Sequence, residues 1–184
     1  FLSDQTVIIY PQLKFLLLDN NLTFKDWELF MIGLLQRVTE ASVSLEGNII
    51  AEIGRGLLVL VAVHRDDTLT DVSRLAERVL TYRVFSNSEG HMSHSLIDKG
   101  LALLAVPQFT LTADTKKGTR ASFTKAAEYS KGSDYFDRFV NICASRISSV
   151  QAGKFGGEMQ VSLINDGPVT FWLESWLEVI RLWF

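Results

Sequence analysis

The sequence predicts an α+β fold built around a largely antiparallel β-sheet or barrel. Short apolar runs rich in Val, Leu and Ile recur along the chain, as buried strands do. Within residues 31–174, two stretches have the 3.6-residue spacing of apolar side chains that is typical of a helix packed on a core. Strands and helices do not alternate regularly, so the pattern does not favour a parallel sheet with crossover helices.

The first half of the chain contains strands, a turn and a helix. The strands follow from apolar, β-prone composition, and the helix follows from apolar residues that recur at positions i, i+3, i+4 and i+7. The turn follows from Glu46-Gly47-Asn48. These criteria predict strands over residues 32–38, 41–45 and 57–63, a turn over 46–48 and a helix over 71–82.

The second half contains further strands around a second helix. A polar segment that holds Lys and Gly predicts a loop, and Asn165-Asp166-Gly167-Pro168 joins the last two strands. The predicted elements are a strand over residues 101–106, a loop over 113–119, a helix over 133–147, and strands over 159–164 and 169–173.

Three parts of the chain differ in character. Residues 1–30 begin without methionine and contain no apolar run long enough to span a membrane. We interpret them as an accessory or non-native N-terminal extension and Met31 as the native start. Residues 31–174 form the predicted single domain. Residues 175–184 are an apolar C-terminal extension with helical spacing, interpreted as an extra helix or as non-native sequence, because the lysine-rich face of a membrane-surface helix is missing.

Composition narrows the classes of function. A net charge of −3 is unlike that of a general nucleic-acid clamp, so any bound RNA is expected to be a short end rather than a duplex. Cys143 is the single cysteine, which excludes an intrachain disulfide, argues against a cysteine metal site and fits a reducing cytoplasm. We therefore predict a cytoplasmic protein without a membrane partner, metal or cofactor.

No histidine or cysteine stands in a pattern typical of catalysis. His91 and His94 lie in a Gly-, Ser- and Asn-rich segment without an obvious third metal ligand, so we interpret them as loop residues. His64 follows a predicted strand and marks a turn, and Cys143 lies on the apolar face of the second helix. A Ser-His-Asp triad and a catalytic cysteine are therefore not predicted.

Two short segments hold two of the chain's three prolines and are the main candidates for an active site. Residues 106–111 read VPQFTL, and residues 165–170 read NDGPVT. A proline in a β-prone stretch marks a strand end or a bulge, because it donates no ladder hydrogen bond. The Gly167-Pro168 step can direct backbone carbonyls at a ligand, and the Thr110 hydroxyl with nearby amides can serve an ester. The sequence therefore predicts a site built largely from main chain.

The segments QFTL and NDGPVTFWL resemble the two signature motifs of the D-aminoacyl-tRNA deacylase family. Other stretches resemble the same family in the same order, and together the matches cover residues 31–174. These stretches read LLQRVTEASVSLEG, IGRGLLVLVAV, RVLTYRVFS, ADTKKGTRASF and FGGEMQVSL. The resemblance implies a barrel-like sheet flanked by two main helices, in a homodimer that hydrolyses the ester of D-aminoacyl-tRNA and so proofreads chirality in translation. The implied partner is the aminoacylated 3′ end of tRNA, bound at the subunit interface.

The resemblance also assigns roles to the NDGPVT segment. Gly167 and Pro168 are similar to a cis dipeptide that reaches into the active site of the partner subunit, where its carbonyls hold the substrate's amino group. An L side chain then clashes with backbone, whereas a D side chain points to open space and glycine also passes, which implies glycyl-tRNA as a secondary substrate. Arg37 resembles the arginine that braces this dipeptide. From the residues alone, a tight turn and an edge-strand arginine with a surface acid remain open.

The same resemblance places Gln108, Phe109 and Thr110 in the catalytic pocket, where backbone amides stabilise the oxyanion that develops on the ester. Thr110 is expected to orient water or the terminal ribose; it has also been viewed in the family as a nucleophile, but no base lies beside it in sequence. Phe155 and Met159 match positions near the terminal adenine, and an aromatic face suits a base. Core packing is the alternative for both.

Two residues depart from the family pattern. Pro107 stands where the family has serine, which removes a hydroxyl and a backbone N–H, and Ala121 stands where a proline is usual. A sister class with proline at the first position is associated with relaxed chirality and removal of L-alanine. The alternatives are therefore an editing deacylase with relaxed specificity for L-alanyl-tRNA, a nucleic-acid-binding homologue with weak catalysis, and a damaged copy.

Overall fold

The structure is a computed structural model that describes residues 30–116 and 118–175. The predicted extensions 1–30 and 175–184, apart from Phe30 and Ser175, lie outside the described residues. The elements in chain order are β1 (Ile32–Leu45), β2 (Asn48–Ile53), β3 (Gly56–Ala62), α1 (Leu69–Thr81), β4 (Phe85–Ser86), β5 (Met92–His94), α2 (Leu96–Lys99), β6 (Ala102–Pro107), a 3-10 turn (Phe109–Thr112), α3 (Tyr129–Ala144), β7 (Val150–Ala152) and β8 (Met159–Glu174).

β1 is the centre of a six-stranded sheet. β2, β3 and β8 each pair with it in antiparallel orientation. β6 pairs parallel with β3, and β7 pairs parallel with β6, while β4 and β5 form a separate antiparallel pair. The large sheet is thus mixed but mainly antiparallel, and the predicted α+β class is confirmed.

Two apolar cores lie on opposite faces of β3 and β6, because successive side chains of a strand point to opposite faces. Leu57 and Val59 belong to the core that α1 and α3 cover. Leu58, Leu104 and Val106 belong to a second core, which they share with residues of β1 and β2. β1 and β2 therefore fold over the face opposite the helices, and the sheet is barrel-like with α1 and α3 as its two main helices.

No helix in the described part of the chain is long and apolar enough to cross a membrane.

The predicted break between two strands in residues 32–45 is wrong, because β1 is continuous. The register of β1 against β8 shifts between Gln36 and Val38 and again between Val38 and Glu40. Such a bulge interrupts the alternation of buried and exposed side chains without ending the strand. The sequence pattern therefore locates the irregularity but mistakes it for a break between two strands.

The sequence pattern also misses β2 and the first residues of α3. The first three residues of β2 are all exposed, so the strand lacks the apolar alternation that would mark it. α3 begins at Tyr129 rather than at 133, and Gly132 lies in its first turn. A Cβ at Gly132 would lie 2.8 Å from Phe155 Cζ, so this glycine leaves room for a ring rather than breaking the helix.

Buried polar groups connect the start of α1 with the ends of β1 and β8. Asp67 Oδ2 accepts a hydrogen bond from the His64 amide at 2.6 Å, and Ser175 Oγ donates to Asp71 Oδ1 at 3.1 Å. All four residues are buried. Burial raises the pKa of Asp67 from 3.8 to about 7, although backbone hydrogen bonds from His64 and Met31 act in the opposite direction.

Candidate active site

The VPQFTL segment ends β6 and continues into the 3-10 turn. The Gln108 amide donates to the Val61 carbonyl at 2.7 Å, which extends the pairing of β6 with β3 by one residue. Thr112 is fully buried, and its Oγ1 donates to the Phe109 carbonyl at 2.8 Å. The turn is therefore anchored at both ends by contacts within its own chain.

Thr110 is exposed on this turn. Its Oγ1 accepts a hydrogen bond from the Gln108 side-chain amide, which leaves the hydroxyl proton for a ligand. The amides of Phe109 and Thr110 stand at the beginning of the turn, where a helical turn supplies no partner of its own. Residues 108–110 therefore place two main-chain N–H donors and the Thr110 hydroxyl donor close together.

Phe109 forms an exposed aromatic pair with Phe123. The two rings pack edge-to-face with centroids 5.1 Å apart, and the residues are 55% and 42% exposed. Edge-to-face packing favours this arrangement of aromatic rings beyond the area that it buries. The loop after the 3-10 turn is thereby held against the turn itself.

Pro107 stands at a position of the parallel ladder where an N–H would find an acceptor. The Gly153 amide donates to the Ala105 carbonyl at 2.8 Å, and the same register directs an amide at position 107 towards the Gly153 carbonyl. Pro107 has no N–H, and its Cδ lies 3.4 Å from the position of a Cβ on Gly153. The family serine would therefore add a ladder hydrogen bond that this chain lacks.

A cleft of about 560 Å³ contains Phe155 and Met159, the two residues expected near the terminal adenine. Met159 Sδ accepts a hydrogen bond from the Lys154 amide at 3.2 Å. A Cβ on Gly153 would lie 2.9 Å from Met159 Sδ and 3.4 Å from Pro107 Cδ. The backbone of Gly153 therefore lies between Met159 in the cleft and Pro107 at the end of β6. The structure therefore places the cleft next to the VPQFTL segment.

Tyr129 also lines this cleft, and sequence reasoning misses it. The residue is 68% exposed, and its ring stands at 80° to that of Phe155 with centroids 5.1 Å apart. Gly156 has a φ of +72°, and a Cβ there would lie 2.7 Å from Tyr129 Oη. The glycine thus accepts both an unusual backbone angle and the approach of the ring. No motif includes Tyr129, and it precedes the predicted helix, so no sequence signal marks it.

The NDGPVT segment protrudes from β8 as a bulge. Gln36 pairs with Thr170 and Val38 pairs with Asn165, so five residue steps of β8 lie opposite two of β1. Both flanks pair with β1 in the same direction, so the predicted turn between two separate strands is wrong. The Gly167–Pro168 peptide bond is cis, and both residues are exposed.

Arg37 lies opposite the bulge and contacts it. Its Nε donates to the Asp166 carbonyl at 2.9 Å and lies 3.2 Å from Asp166 Oδ2, and its Nη1 donates to the Val84 carbonyl at 2.6 Å. Gly167 has a φ of +134°, and a Cβ there would lie 2.7 Å from Val169 Cγ2 and 2.9 Å from Arg37 Nη2. The guanidinium thus occupies the space that a side chain at position 167 would need.

Asn165 connects the two sides of the bulge, and sequence reasoning does not single it out. Its Oδ1 accepts a hydrogen bond from the Val169 amide at 2.6 Å, and its Nδ2 donates to Thr170 Oγ1 at 3.0 Å. The available signal is the NDGPVT motif itself, because Asn side chains commonly bond to backbone a few residues further on.

One chain does not bring the two segments together. Gly167 lies eight residues along β8 from Met159, a separation on the order of 20 Å for an extended strand, and Met159 lies beside Pro107. The predicted site residues therefore form two groups. One group contains Gln108, Phe109, Thr110, Phe155 and Met159, and the other contains Arg37, Gly167 and Pro168.

Cys143 is fully buried in the core under α3, and burial raises the pKa of its thiol to about 12, so no reactive thiolate is available. His91 is exposed, with its Nδ1 3.4 Å from Glu89 Oε2, and His94 lies in β5. Within residues 30–116 and 118–175, no three His, Cys, Asp or Glu side chains are grouped to hold a metal ion.

Sequence comparison identifies relatives over most of the chain. The family described as D-Tyr-tRNA(Tyr) deacylase matches residues 34–174. A D-aminoacyl-tRNA deacylase of Thioalkalivibrio sulfidiphilus is 54% identical over 144 residues, which cover 78% of this chain and 97% of that protein. A D-aminoacyl-tRNA deacylase of Escherichia coli is 51% identical over 144 residues, which cover 78% and 99% of the two chains.

Two solved structures have the same architecture. A c-Myc DNA Unwinding Element Binding Protein matches with a TM-score of 0.75 at 36% identity, over 78% of this chain and 97% of that one. A probable eukaryotic D-amino acid tRNA deacylase matches with a TM-score of 0.71 at 18% identity, over 79% of this chain and 100% of that one, which supports the fold alone.

Proposed function

The chain belongs to the D-Tyr-tRNA(Tyr) deacylase family, and on that premise we propose that it hydrolyses the ester bond of D-aminoacyl-tRNA. Water attacks the carbonyl carbon, the bond to the ribose oxygen breaks, and the free D-amino acid and tRNA leave. The observation that carries this proposal is the family match over residues 34–174, which includes both the VPQFTL and the NDGPVT segments.

The 3-10 turn is suited to stabilise the oxyanion that develops during this attack. The Phe109 and Thr110 amides begin the turn, and donors that are fixed before the reaction stabilise developing charge most effectively. Thr110 has a Gln108 amide as its neighbour, and an amide N–H cannot accept the hydroxyl proton. This contact favours Thr110 as an orienting group for water or the terminal ribose rather than as a nucleophile.

The cleft that contains Phe155 and Met159 is suited to the terminal adenosine of tRNA. Phe155 and Tyr129 form a corner of two nearly perpendicular rings, so a base that stacks on one ring meets the edge of the other. The cleft lies beside Pro107, two residues before the first proposed oxyanion donor, the Phe109 amide. A nucleoside bound there would hold its ester near Thr110.

We further propose that the active enzyme is a homodimer with each site at the subunit interface. Gly167 and Pro168 are exposed on a bulge far from Thr110 of the same chain, so a second copy is the natural source of the dipeptide. β8 is a 16-residue strand that pairs only with β1 among the described strands, and it exposes Ile164 and Trp172. A long edge strand with apolar side chains favours association with another chain.

The Gly167 and Pro168 carbonyls would then hold the substrate's amino group in the partner's site. With the amino group and the ester both fixed, an L side chain points into backbone, whereas a D side chain points outward. Glycine has no side chain to exclude, so glycyl-tRNA is the expected secondary substrate. We place the reaction in the cytoplasm, because the substrate is charged tRNA and Cys143 is the chain's single cysteine.

Hydrolysis of D-tyrosyl-tRNA beside L-tyrosyl-tRNA by the purified protein tests the proposed activity. A Pro107→Ser variant in parallel restores the amide that faces the Gly153 carbonyl. We expect rapid loss of the D ester and none of the L ester. If the native chain is inactive and Pro107→Ser is active, the proline is the defect. Inactivity of both on the D ester would overturn the proposal and favour a binding role without catalysis.

Pro107 is also the one observation that favours a second function, removal of L-alanine from mischarged tRNA. The residue lies at the junction of the turn and the cleft, where loss of a ladder hydrogen bond changes the backbone support of both. L-alanyl-tRNA in the same assay separates the two functions. Turnover that exceeds that of D-tyrosyl-tRNA and disappears in Pro107→Ser would assign this chain to relaxed-specificity editing.

A further inference from the structure

A hairpin projects from the chain directly after the 3-10 turn. The Asp114 and Ser122 backbones pair through two hydrogen bonds of 2.8 and 3.1 Å, and the Lys116 amide donates to Asp114 Oδ1 at 3.0 Å. The next residue, Phe123, packs on Phe109 of the turn. The hairpin is therefore fixed to the candidate active site at its base.

This hairpin carries positive charge on a protein that is acidic overall. The described residues within 114–125 include three basic residues (Lys116, Arg120 and Lys125) and one acidic residue (Asp114), against a net charge of −3 for the whole chain. Lys116 and Arg120 are exposed, and no described carboxylate lies within ion-pair distance of either. Arg37, Arg65, Arg138 and Arg146 each pair with an acid, whereas the exposed Arg55 and Lys99 form no ion pair with a described residue, so concentration beside the turn, not lack of a pair, distinguishes the hairpin cations. The hairpin thus offers cations that the fold itself does not use.

The hairpin lies within reach of the strand that must enter the site. Thr110 and Lys116 are six residues apart, which limits their separation to about 20 Å even for a fully extended chain. A ribose ester held at Thr110 is the last nucleotide of an RNA strand, and the phosphates of the preceding nucleotides must leave past the surrounding surface. Phosphate contacts supply most of the sequence-independent affinity for nucleic acid.

We propose that Lys116 and Arg120 form a docking surface for the phosphate backbone of the RNA strand that leads to the aminoacylated 3′ end. The inference rests on the proposed function, because it takes its partner from that reaction. It explains how an acidic protein binds RNA at one place only, since the cations are concentrated beside the catalytic turn. It also assigns the hairpin to affinity for tRNA and not to the chemistry of the ester.

Two substrates separate docking from chemistry. D-tyrosyl-tRNA carries the whole phosphate backbone, whereas 3′-O-(D-tyrosyl)adenosine carries the same ester without any phosphate. For a Lys116→Ala/Arg120→Ala variant we expect kcat/KM on the tRNA to fall about tenfold at low salt, through KM, and kcat/KM on the adenosine ester to stay unchanged. The plot of log affinity for uncharged tRNA against log salt concentration has a negative slope. Its magnitude should decrease by about one for each cation removed.

The matched control is Arg55→Ala/Lys99→Ala, which removes one exposed arginine and one exposed lysine outside the hairpin. Equal losses in this control would show a general charge effect and overturn the inference. Equal losses on both substrates in the hairpin variant would also overturn it, because they would place the hairpin's role in the active-site turn. If the wild type hydrolyses neither ester, the proposed function fails, and the salt dependence of tRNA binding alone decides the inference.

Discussion

The VPQFTL and NDGPVT segments are both built from main chain around a proline, yet they are anchored in opposite ways. The first is anchored within its own chain by three contacts: the hydrogen bond to the Val61 carbonyl, the buried Thr112 and the Phe109–Phe123 ring pair. The second projects from an edge strand as an exposed bulge, which Arg37 and Asn165 hold from behind.

This difference indicates that the two segments do different work. An oxyanion site needs donors fixed to a fraction of an ångström, and a turn anchored at both ends provides them. The bulge projects from β8 and is held in shape by Arg37 and Asn165, so in the proposed homodimer it would complete the site of the partner subunit. The comparison therefore favours a shared site, with the turn from one subunit and the bulge from the other.

Mixed dimers give the largest expected effect. Gly167→Ala introduces a Cβ 2.9 Å from Arg37 Nη2, and Thr110→Val removes the hydroxyl of the turn. We expect kcat to fall by at least about 100-fold in the Gly167→Ala homodimer and by about tenfold in the Thr110→Val homodimer. Mixing equal amounts of the two chains should restore about one quarter of the wild-type rate. Half of the dimers are then heterodimers, and in each heterodimer one site carries both defects while the other carries none.

The control for this experiment is Gly90→Ala, since Gly90 has a φ of +85° and nothing lies within 4 Å of its Cβ position. It imposes a similar backbone cost without touching the bulge, so its activity should stay near that of the wild type. A mixture of the two defective chains that dimerises and exchanges subunits, yet shows no recovery, would place both segments in one subunit's site and reverse the comparison.

Arg37→Lys is expected to have a smaller effect on activity. The guanidinium of Arg37 reaches the Asp166 carbonyl and the Val84 carbonyl at once, and a lysine ammonium cannot reproduce this planar fork. We expect kcat/KM for D-tyrosyl-tRNA to fall by about tenfold with the fold intact, because the bulge loses its support. Arg78→Lys is the matched control, since Arg78 donates to the Glu174 carbonyl at the far end of β8. Equal losses in both variants would show a general effect on β8.

The same contrast explains what the sequence can and cannot predict. The chemistry of the VPQFTL turn is local, so its residues could be located from the motif and its neighbours. The role of Arg37 in bracing the Gly167-Pro168 dipeptide was expected from the family resemblance alone, and its contact with Asp166, 129 positions away, was not foreseen, because no local pattern encodes it. Tyr129 depends on Gly156 and Phe155, which a helix pattern does not include. The bulge in β8 was mistaken for a turn because a Gly-Pro step looks the same in both.

The smallest effect on activity is expected for Asp67, which lies near the C-terminal end of β8, away from the bulge. Asp67 and Asp71 are buried there. The pKa of Asp67 is raised in the folded protein to about 7 from 3.8, so the folded state holds a proton that the unfolded state has lost. Stability is therefore greatest near pH 4, decreases as the pH rises towards 7, and does not recover above it. This pH dependence can be tested by removing the charge.

Asp67→Asn keeps an oxygen that can accept the hydrogen bond of the His64 amide but carries no charge, so it should remove the loss of stability at high pH. Urea unfolding at pH 5 and pH 8, at one protein concentration, should show a gain for the variant on the order of 4 kcal/mol at pH 8 and about half of that at pH 5. Deacylation at pH 7 should stay unchanged. An equal gain at both pH values would show that the charge of Asp67 is not the cause, and a loss of activity would mean that this buried end of β8 is coupled to the bulge.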